Sequence, residues 1–466
     1  MQTSPKKKNF RFRVRTLLAG FFIVACCAAW LGAYYRQSQV EQQLLKKFAA
    51  TDITYGYQGE MSSFTNLFSG PVQEDYDNFD RPIKRALPIP PGPKWLRRLL
   101  GEHCFARVQS FKVNGEQMNQ EDFNPHELSR FTELKGIEFS HCNFSSEAYL
   151  KLDNLPSIEL LRFRNCNFNN VRNPPLVKNL KTIGFTFCKG ITRFDTTKEF
   201  ENITSFYLYQ TDVQFVQVGD ALSRFNAHYC DRLEVIKFPD TMPRITRLGL
   251  GNCDRLEEIK FPDTMPRITN LGLDNCKRLS HLELPQFTPK LEQFILGGNH
   301  SLKTLNLEYE LVGCQGVFIE KCDALSSVTV PRAKYLGLHN LNSLVELKLL
   351  VDMSNLETLE VTGCPQLARL DSCGQFPKLD RFTISAPLLA VDSSCFSQSC
   401  RPRIDLAGCK AVTNLDTLVQ LKCPWMFRLP PHQKVPSELE QCIRTPEENR
   451  AIARRAAMQL GSENGE

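Results

Sequence analysis

Two consecutive segments decide the fold. Residues 230–252 read CDRLEVIKFPDTMPRITRLGLGN, and residues 253–275 read CDRLEEIKFPDTMPRITNLGLDN. The two segments are nearly identical and define a period of 23 residues. A period of about 20–29 residues with regularly placed apolar positions indicates a solenoid, because each repeat can bury its apolar face only against its neighbours.

The same phase extends in both directions from these two segments. Each unit has the nine-position pattern L-x-x-L-x-L-x-x-C, in which L is any bulky apolar residue. Thirteen units follow one another, from LKGIEFSHC ending at Cys142 to RPRIDLAGC ending at Cys409, and a degenerate unit precedes them around residues 108–113. The central L-x-L alternates between inside and outside, so each unit predicts one short strand. Stacked in parallel, these strands predict a curved sheet on the concave side.

The ninth position of each unit is predicted to turn inward where the chain leaves the strand, and its residues form what we call the ladder. Its predicted members are Cys142, Cys166, Cys188, Thr211, Cys230, Cys253, Cys276, Asn299, Cys322, Cys364 and Cys409. Leu341 and Pro387 depart from the pattern, and we expect local distortion near them. Nine of the 18 cysteines recur at this position. They are therefore interpreted as buried small hydrophobic residues rather than as redox or metal-binding groups.

The repeat pattern resembles the leucine-rich-repeat family over about residues 105–415, and it is most similar to bacterial, membrane-anchored members of that family. The resemblance implies a repeat solenoid in which ladder Asn or Cys side chains hydrogen-bond the loop backbone of neighbouring repeats. It does not identify a ligand. The returning segments lack a long helical period, so short strands, turns or single helical turns are expected on the convex side.

A membrane anchor is predicted near the N-terminus. Residues 16–35, TLLAGFFIVACCAAWLGAYY, carry no charge over 20 positions, enough to cross a hydrocarbon core of about 30 Å. Residues 1–15 hold six cations and no acid. The positive-inside rule then places this tail in the cytoplasm and the repeat region outside it. A retained signal anchor is the favoured interpretation, and the alternatives are a lipoprotein signal ending at Cys26 and a buried core helix.

The sequence predicts five parts. They are a basic tail (1–15), the anchor (16–35), a juxtamembrane region with a Pro-rich spacer (36–93), the solenoid (94–424) and a C-terminal cap, linker and polar helix (425–466). A short amphipathic helix at 94–101 is expected to cover one open end of the array with an apolar face that includes Trp95. Trp425, Met426 and Phe427 are expected to cover the other end. A disulfide is considered among the five cysteines outside the ladder at this end, which are Cys373, Cys395, Cys400, Cys423 and Cys442.

Composition and motifs argue against nucleic-acid binding and catalysis. Six of the 57 basic residues lie in the N-terminal tail, and the other 51 equal the 51 acidic residues, so no basic groove is evident. Metalloprotease, nucleophile-elbow and phosphate-loop motifs are missing from the sequence. No enzyme activity, cofactor or metal is therefore predicted. The recurring pairs Asp240 with Arg244 and Asp263 with Arg267 are interpreted as solvated charges on the convex side.

The predicted ligand surface is the concave face. Positions 5, 7 and 8 of each unit are expected to point to solvent there, and in the early units they collect aromatic and basic side chains. The candidate patch comprises Arg162, Arg164, Phe187, Tyr207, Tyr209, His228 and Tyr229. The central units are expected to be bare because Gly249, Gly251, Gly272, Gly297 and Gly298 occupy these positions. The predicted function is binding of a protein or a glycan. An envelope scaffold is the alternative, and a receptor-like regulator is disfavoured because the cytoplasmic tail is short.

Overall fold

Each repeat contributes a strand of three to five residues on one side and a strand of three or four residues on the other, as the repeat pattern requires. The computed structural model describes the following residues: 14–55, 95, 98, 107–117, 125–145, 158–169, 177, 179–197, 202–307, 314–330, 332–349, 353–372, 376–393, 403–416 and 426–440. The chain forms two compact units. The first comprises Met1–Asn143 and Leu150–Leu161, and the second comprises Phe144–Tyr149 and Arg162–Glu466.

The first unit begins with one long helix. Its elements are α1 (Val14–Lys47), β1 (Ala50–Tyr55), β2 (Val108–Asn114), a 3-10 helix (Pro125–Arg130) and β3 (Gly136–Ser140). Strand β1 runs antiparallel to β2, and β2 runs parallel to β3. The predicted first repeat strand around residues 108–113 is therefore present, and the helix is longer than the predicted anchor. It extends through residues 36–47 before β1 begins.

The second unit is a parallel β-solenoid, as predicted. Two strands lie where the units divide, β4 (Asn143–Ser145) and β5 (Leu160–Arg164), and β6 (Asn167–Asn169) follows. The odd-numbered strands from β7 onward pair in parallel, in chain order, into one long sheet. They are β7 (Thr182–Thr186), β9 (Ser205–Tyr209), β11 (Arg224–His228), β13 (Arg247–Gly251), β15 (Asn270–Asp274), β17 (Gln293–Gly297), β19 (Gly316–Glu320), β21 (Tyr335–His339), β23 (Thr358–Thr362), β25 (Arg381–Ile384), β27 (Arg403–Asp405) and β29 (Met426–Arg428).

The returning segments form shorter parallel sheets opposite the long one. Their strands are β8 (Arg193–Asp195), β10 (Phe215–Gln217), β12 (Val235–Lys237), β14 (Glu258–Lys260), β16 (His281–Glu283), β18 (Thr304–Asn306), β20 (Ser327–Val330), β22 (Glu346–Leu349), β24 (Arg369–Ser372), β26 (Ala390–Asp392) and β28 (Ala411–Thr413). The expectation of short strands rather than long helices is confirmed for these segments. A four-residue helix, Ser437–Glu440, follows the last strand.

The core of the second unit lies between the two sets of strands. In its early turns it is a column of phenylalanine rings, with centroids 4.8 Å apart for Phe185 and Phe194 and 5.1 Å apart for Phe194 and Phe206. In later turns leucines take the same places, as Leu248 pairs in register with Leu271. One repeat offers too little apolar surface to fold alone, so this continuous core explains why the units stack.

One of the two predictions about the ends of the array needs correction. Trp95 is helical, but its side chain is 66% exposed, so it does not cover an apolar end. Met426–Arg428 forms strand β29, which pairs in parallel with β27 and so lies at the end of the long sheet, whereas Trp425 lies outside the described residues. The predicted polar helix after residue 445 and the five cysteines outside the ladder lie outside the described residues.

Candidate ligand-binding face

Strand β9 shows how the repeat presents its side chains. Phe206 and Leu208 are buried, whereas Ser205, Tyr207 and Tyr209 lie on the solvent side of the sheet. These outward residues occupy positions 3, 5 and 7 of the unit. Positions 5 and 7 were predicted to face outward, but position 3 was missed. Because the strand already begins at position 3, the period-two alternation includes it.

The residue at position 8 has a left-handed backbone in one turn after another. Its φ is 55° at Phe187, 52° at Gln210 and 56° at Tyr229, and Gly298 has the same conformation with φ 61°. The N–H of this residue reaches the next turn, as the Phe187 amide donates to the Tyr209 carbonyl at 2.9 Å. The sequence could have indicated this left-handed backbone, because Asn and Gly are frequent at position 8 and adopt a positive φ most readily.

Three aromatic side chains form a row across consecutive turns, which we call the aromatic row. The ring centroids of Phe187 and Tyr209 are 5.5 Å apart, and those of Tyr209 and Tyr229 are 5.1 Å apart. Their side chains are 37%, 39% and 44% exposed, respectively. Edge-to-face and tilted contacts at these distances are favourable aromatic arrangements. The three rings therefore support each other while presenting a continuous apolar surface to solvent.

The other predicted patch residues lie on the outward side of nearby strands. Tyr207 is half-buried on β9. His228 lies on the adjoining strand β11, where it pairs in register with Tyr209 of β9. Arg162 is half-buried and Arg164 is exposed on β5. Partial burial lowers the pKa of His228, which favours its neutral imidazole. The structure thus joins Phe187, Tyr209, His228 and Tyr229 on successive turns.

The central glycines are not bare, with one exception. A Cβ atom added to Gly251 would lie 2.5 Å from Nδ1 of His228, and one added to Gly297 would lie 2.9 Å from Oδ1 of Asp274. Side chains from neighbouring strands therefore cover the glycine backbone. Only at Gly272 would an added Cβ meet no atom within 4 Å. The prediction of an uncovered central strip is wrong because it considered each unit without its neighbours.

A second apolar cluster lies further along the same face and was not predicted. Ile295, Phe318 and Tyr335 are each about one-third exposed, and Ile295 pairs in register with Phe318. The charged residues beside it include the acids Asp274, Glu320 and Glu357, and Nζ of Lys334 lies 5.2 Å from the centroid of the Tyr335 ring. The pKa of Asp274 is raised by partial burial and by the nearby carboxylate of Glu320. Tyr335 was overlooked because it occupies position 3, which was not included among the outward positions.

The predicted ladder residues are buried in the loops that follow the long-sheet strands. The nine cysteines are free thiols and are at most 6% exposed. Each of eight of them donates to the carbonyl two residues earlier, as Cys253 does to Gly251 at 3.5 Å, and several also reach the preceding turn. Burial raises the pKa of Cys322 to about 11. Burial also raises the pKa of Cys364 and Cys409, which favours the protonated donor. Side-chain hydrogen bonds with Cys253 instead lower the pKa of Cys230 and Cys276.

Asn299 is the strongest hydrogen-bonding residue of the ladder. Its amide nitrogen donates to the carbonyls of Leu273 at 2.9 Å and Gly297 at 3.0 Å, and its amide oxygen accepts from the Cys276 N–H at 3.0 Å. A thiol reaches comparable carbonyls at longer distances but is only a weak donor. Thr211 contacts the next ladder residue, with Oγ1 3.3 Å from Sγ of Cys230.

The comparison with family models agrees with the repeat pattern. The family model for the BspA type leucine rich repeat region matches residues 125–229 and 225–341, in six copies. Residues 125–341 of this chain therefore match a leucine-rich-repeat region of the BspA type. No curated protein matches the chain in sequence.

Among solved structures, a leucine-rich repeat protein from Bacteroides ovatus is 12% identical, with a TM-score of 0.31, over 66% of this chain and 86% of that one. A leucine rich cell surface protein from Faecalibacterium prausnitzii is 14% identical, with a TM-score of 0.22, over 57% and 83%. A leucine-rich repeat protein from Eubacterium ventriosum is 9% identical, with a TM-score of 0.25, over 72% and 96%.

Local distortion of the ladder was expected near Leu341 and near Pro387, and it occurs only near Pro387. At Leu341 the loop is regular, because Leu341 is buried and Asn340 before it has the usual φ of 55°. At the other place Pro387 is exposed, and Ala386 is buried instead. The preceding strand, β25, is also one residue shorter than β23 before it. A leucine can thus fill the ladder position, whereas a proline cannot.

One group of metal-ligand side chains occurs in the described part of the BspA-type repeats. The ligand atoms of Glu258, His281 and Glu283 lie within 4.8 Å of one another on the returning strands. Nζ of Lys260 is 3.1 Å from the Glu283 carboxylate and already neutralises it. The cluster is solvent-exposed and is accounted for by these ion pairs, so we assign it no metal.

Proposed function

We propose that this leucine-rich-repeat protein is held at a membrane by α1 and binds a protein ligand through the solvent face of its long sheet, without catalysis. The observation that carries the binding proposal is the aromatic row of Phe187, Tyr209 and Tyr229, which is exposed across three consecutive turns. Aromatic side chains beside arginine are enriched in protein interfaces, where they dominate the binding energy. Arg162 and Arg164 lie on the outward side of β5 and supply the basic component.

Backbone strain supports a binding role for two of these rings. Phe187 and Tyr229 hold the left-handed conformation that costs a residue with a Cβ about 1–2 kcal/mol, whereas Asn or Gly takes the same place at Asn252, Asn275 and Gly298. His141, Gln210 and Lys321 hold the same conformation on other turns. Phe187 and Tyr229 thus lie in two of the five described turns in which a residue other than Asn or Gly has a positive φ at position 8, and both rings stay exposed.

Membrane anchoring is supported by the first half of α1. Within the described residues, α1 is the one helix that is long and apolar enough to cross a membrane. Its large side chains are exposed, and Phe22 is 71% exposed. Such a surface is stable in lipid rather than in water. The cations of residues 1–15 precede it and favour a cytoplasmic N-terminus with extracytoplasmic repeats.

The second half of α1 favours a retained anchor over a separate leader. Leu44, Leu45 and Phe48 at its end are buried, and the Phe48 ring stacks 6.4 Å from that of Phe111 on β2. Nζ of Lys47 lies 2.7 Å from the carboxylate of Glu127, and the Val108 amide donates to Glu41 at 3.2 Å. The helix therefore covers the start of the repeats with its last turns while its first turns remain apolar and exposed.

Site-specific crosslinking in intact cells tests the binding proposal. The full chain should give a discrete crosslinked adduct that is lost in the double variant Tyr209→Ala with Tyr229→Ala, because two rings of the row are removed. Tyr335→Ala is the matched control, since this tyrosine is equally exposed on the same face and should keep the adduct. Unchanged thermal melting must accompany the loss. An adduct that persists in the double variant, or disappears equally in the control, contradicts the proposal.

A further inference from the structure

The loops that lead into three neighbouring long-sheet strands carry stacked cations. Arg244, Arg267 and Lys290 are exposed and occupy the same place on successive turns, and we call them the cationic column. Isolated bridges join Thr241, Thr264 and Phe287, three residues before each cation. The residue two positions after each cation also donates its backbone N–H to a carbonyl of the preceding turn. The Thr246 N–H donates to the Ser223 carbonyl at 2.7 Å, the Thr269 N–H to the Thr246 carbonyl at 2.8 Å, and the Glu292 N–H to the Thr269 carbonyl at 2.8 Å.

This double pairing sets the geometry of the column. Paired strands lie about 4.7–4.9 Å apart, so the three positive charges are displayed at that interval along the axis of the turns. Two further arginines extend the positive surface. Arg224 and Arg247 occupy the first positions of β11 and β13 and are paired directly in register. Like charges directly opposite each other destabilise a sheet, so their retention needs a reason other than folding.

The cations on the other side of the same turns are neutralised, in contrast to the column. Nη1 of Arg255 lies 3.0 Å from Glu234, Nζ of Lys277 lies 2.8 Å from Asp254, and Nε of Arg232 lies 3.8 Å from Asp212. Each acid belongs to the preceding turn. Arg244, Arg267 and Lys290 have no ion pair in the part of the chain that the structure describes. In these three turns the cations that follow a strand are paired, whereas Arg244, Arg267 and Lys290, which precede one, are not.

The three copies of the loop that carries the cationic column differ in sequence, and the comparison shows which residue type they share. Residues 238–245 and 261–268 both read FPDTMPRI, whereas the next copy, 284–291, reads LPQFTPKL. The acid of the first two copies is replaced by Gln286, yet the third copy keeps a cation as Lys290. If the charges served only solubility, the acid and the cation would be equally dispensable. The third copy thus keeps its cation, although Glu292 stands where the first two copies have Thr246 and Thr269.

We propose that the cationic column, together with Arg224 and Arg247, binds a linear polyanionic polysaccharide that carries carboxylate or sulfate groups. A guanidinium grips such groups with two parallel hydrogen bonds, and lysine adds a point charge. A column that runs across the turns fits a linear chain with repeated charges better than a single anion. The choice of polysaccharide over nucleic acid rests on the proposed extracytoplasmic position of the repeats. The site itself is separate from the aromatic row.

Binding of defined polyanions to the detergent-solubilised full chain tests this proposal. The probes are a fluorescent heparin decasaccharide and polygalacturonate, titrated at several salt concentrations. The triple variant R244Q/R267Q/K290Q should bind at least about tenfold more weakly. The slope of the logarithm of the binding constant against the logarithm of the salt concentration should decrease in magnitude by about two to three. The matched control, R232Q/R255Q/K277Q, removes the same net charge from paired cations and should bind within about twofold of the wild type.

Three results would overturn the polysaccharide site. The first is that the wild-type chain binds neither polysaccharide at low salt. The second is equal weakening in both triple variants, which would show only a net-charge effect. The third is tighter binding of a single-stranded thymidine oligonucleotide through the same three cations, which would indicate a nucleic-acid surface. If the triple variant melts early, R267E replaces it, with the same expected loss. Crosslinking at the aromatic row should be unchanged in R244Q/R267Q/K290Q, so the two proposals fail separately.

Discussion

At the scale of the residue, the ladder side chain decides how firmly each loop is tied to its neighbours. Asn299 satisfies two carbonyls and one amide while it is completely buried. Cys322 in the next turn reaches its two carbonyls at 3.4 and 3.9 Å with a weak thiol donor. A buried polar group that loses its partner costs about 1–3 kcal/mol, more than a neutral hydrogen bond contributes. The two ladder residue types therefore differ in energy although they occupy the same place.

The substitution Asn299→Ala should lower the free energy of unfolding by about 2–4 kcal/mol, because three backbone groups lose their buried partner. Cys322→Ala is the comparison and should cost about 1 kcal/mol, since it removes a small side chain and weak bonds. Urea unfolding followed by circular dichroism measures both. Equal destabilisation by the two substitutions would refute this account of the ladder.

At the scale of the element, α1 has two halves with different surroundings. Its first half exposes Phe21 and Phe22, whereas its end buries Leu44, Leu45 and Phe48. The buried end contacts β2 through Phe111, which in turn lies 5.1 Å from Phe131 after the 3-10 helix. The helix thus provides the apolar cover that a terminal repeat requires. Its continuity makes the anchor and the cover one element.

Phe48→Ala should loosen the first repeat strands, since removing a buried phenylalanine costs about 3–5 kcal/mol. Hydrogen exchange of the amides in Val108–Asn114 should accelerate by at least about a hundredfold, which corresponds to roughly 3 kcal/mol. Phe22→Ala is the matched control, because that ring is exposed and makes no such cover. Unchanged protection of Val108–Asn114 in Phe48→Ala would show that the helix end does not stabilise β2.

At the scale of the whole molecule, the exposed surfaces of the long-sheet region differ in character. The aromatic row and the arginines of β5 lie in the early turns, and Ile295, Phe318 and Tyr335 lie beside acidic residues in later turns. The cationic column lies before the strands of intermediate turns. A solenoid can separate its surfaces in this way because each repeat contacts only its neighbours. The proposed membrane anchor is confined to the N-terminal helix.

Two N-terminal deletions should separate anchoring from folding. A chain lacking residues 1–35 should move from the membrane to the soluble fraction and keep its melting temperature, because the buried end of α1 remains. A chain lacking residues 1–49 should also be released but should melt at least about 4 °C lower, because β2 loses its cover. Fractionation and calorimetry measure the two effects. Membrane retention of the first deletion would contradict the anchor, and equal melting of the two would contradict the cover.

The sequence by itself determined the repeat, its phase and the side chains that face inward. A strand alternates with a period of two whatever its surroundings, so Phe206 and Leu208 could be assigned to the core from their spacing alone. The apolar helix over residues 16–35 could also be predicted, because the length of this segment and its lack of charge are local properties of the sequence. The ladder positions followed from the same phase, and the structure places their cysteines in buried loops.

Only the tertiary structure decided what happens between turns. It showed that His228 covers Gly251 and that Ala386 rather than Pro387 is buried. It also showed that, among the described residues, Arg244 has no acidic partner whereas Arg255 has one. Each of these contacts joins residues about one repeat apart or depends on how a loop bends. Their outcome depends on the register and on the backbone conformation at each turn, which a nine-position pattern does not encode. The candidate binding surfaces are therefore visible only once the turns are stacked.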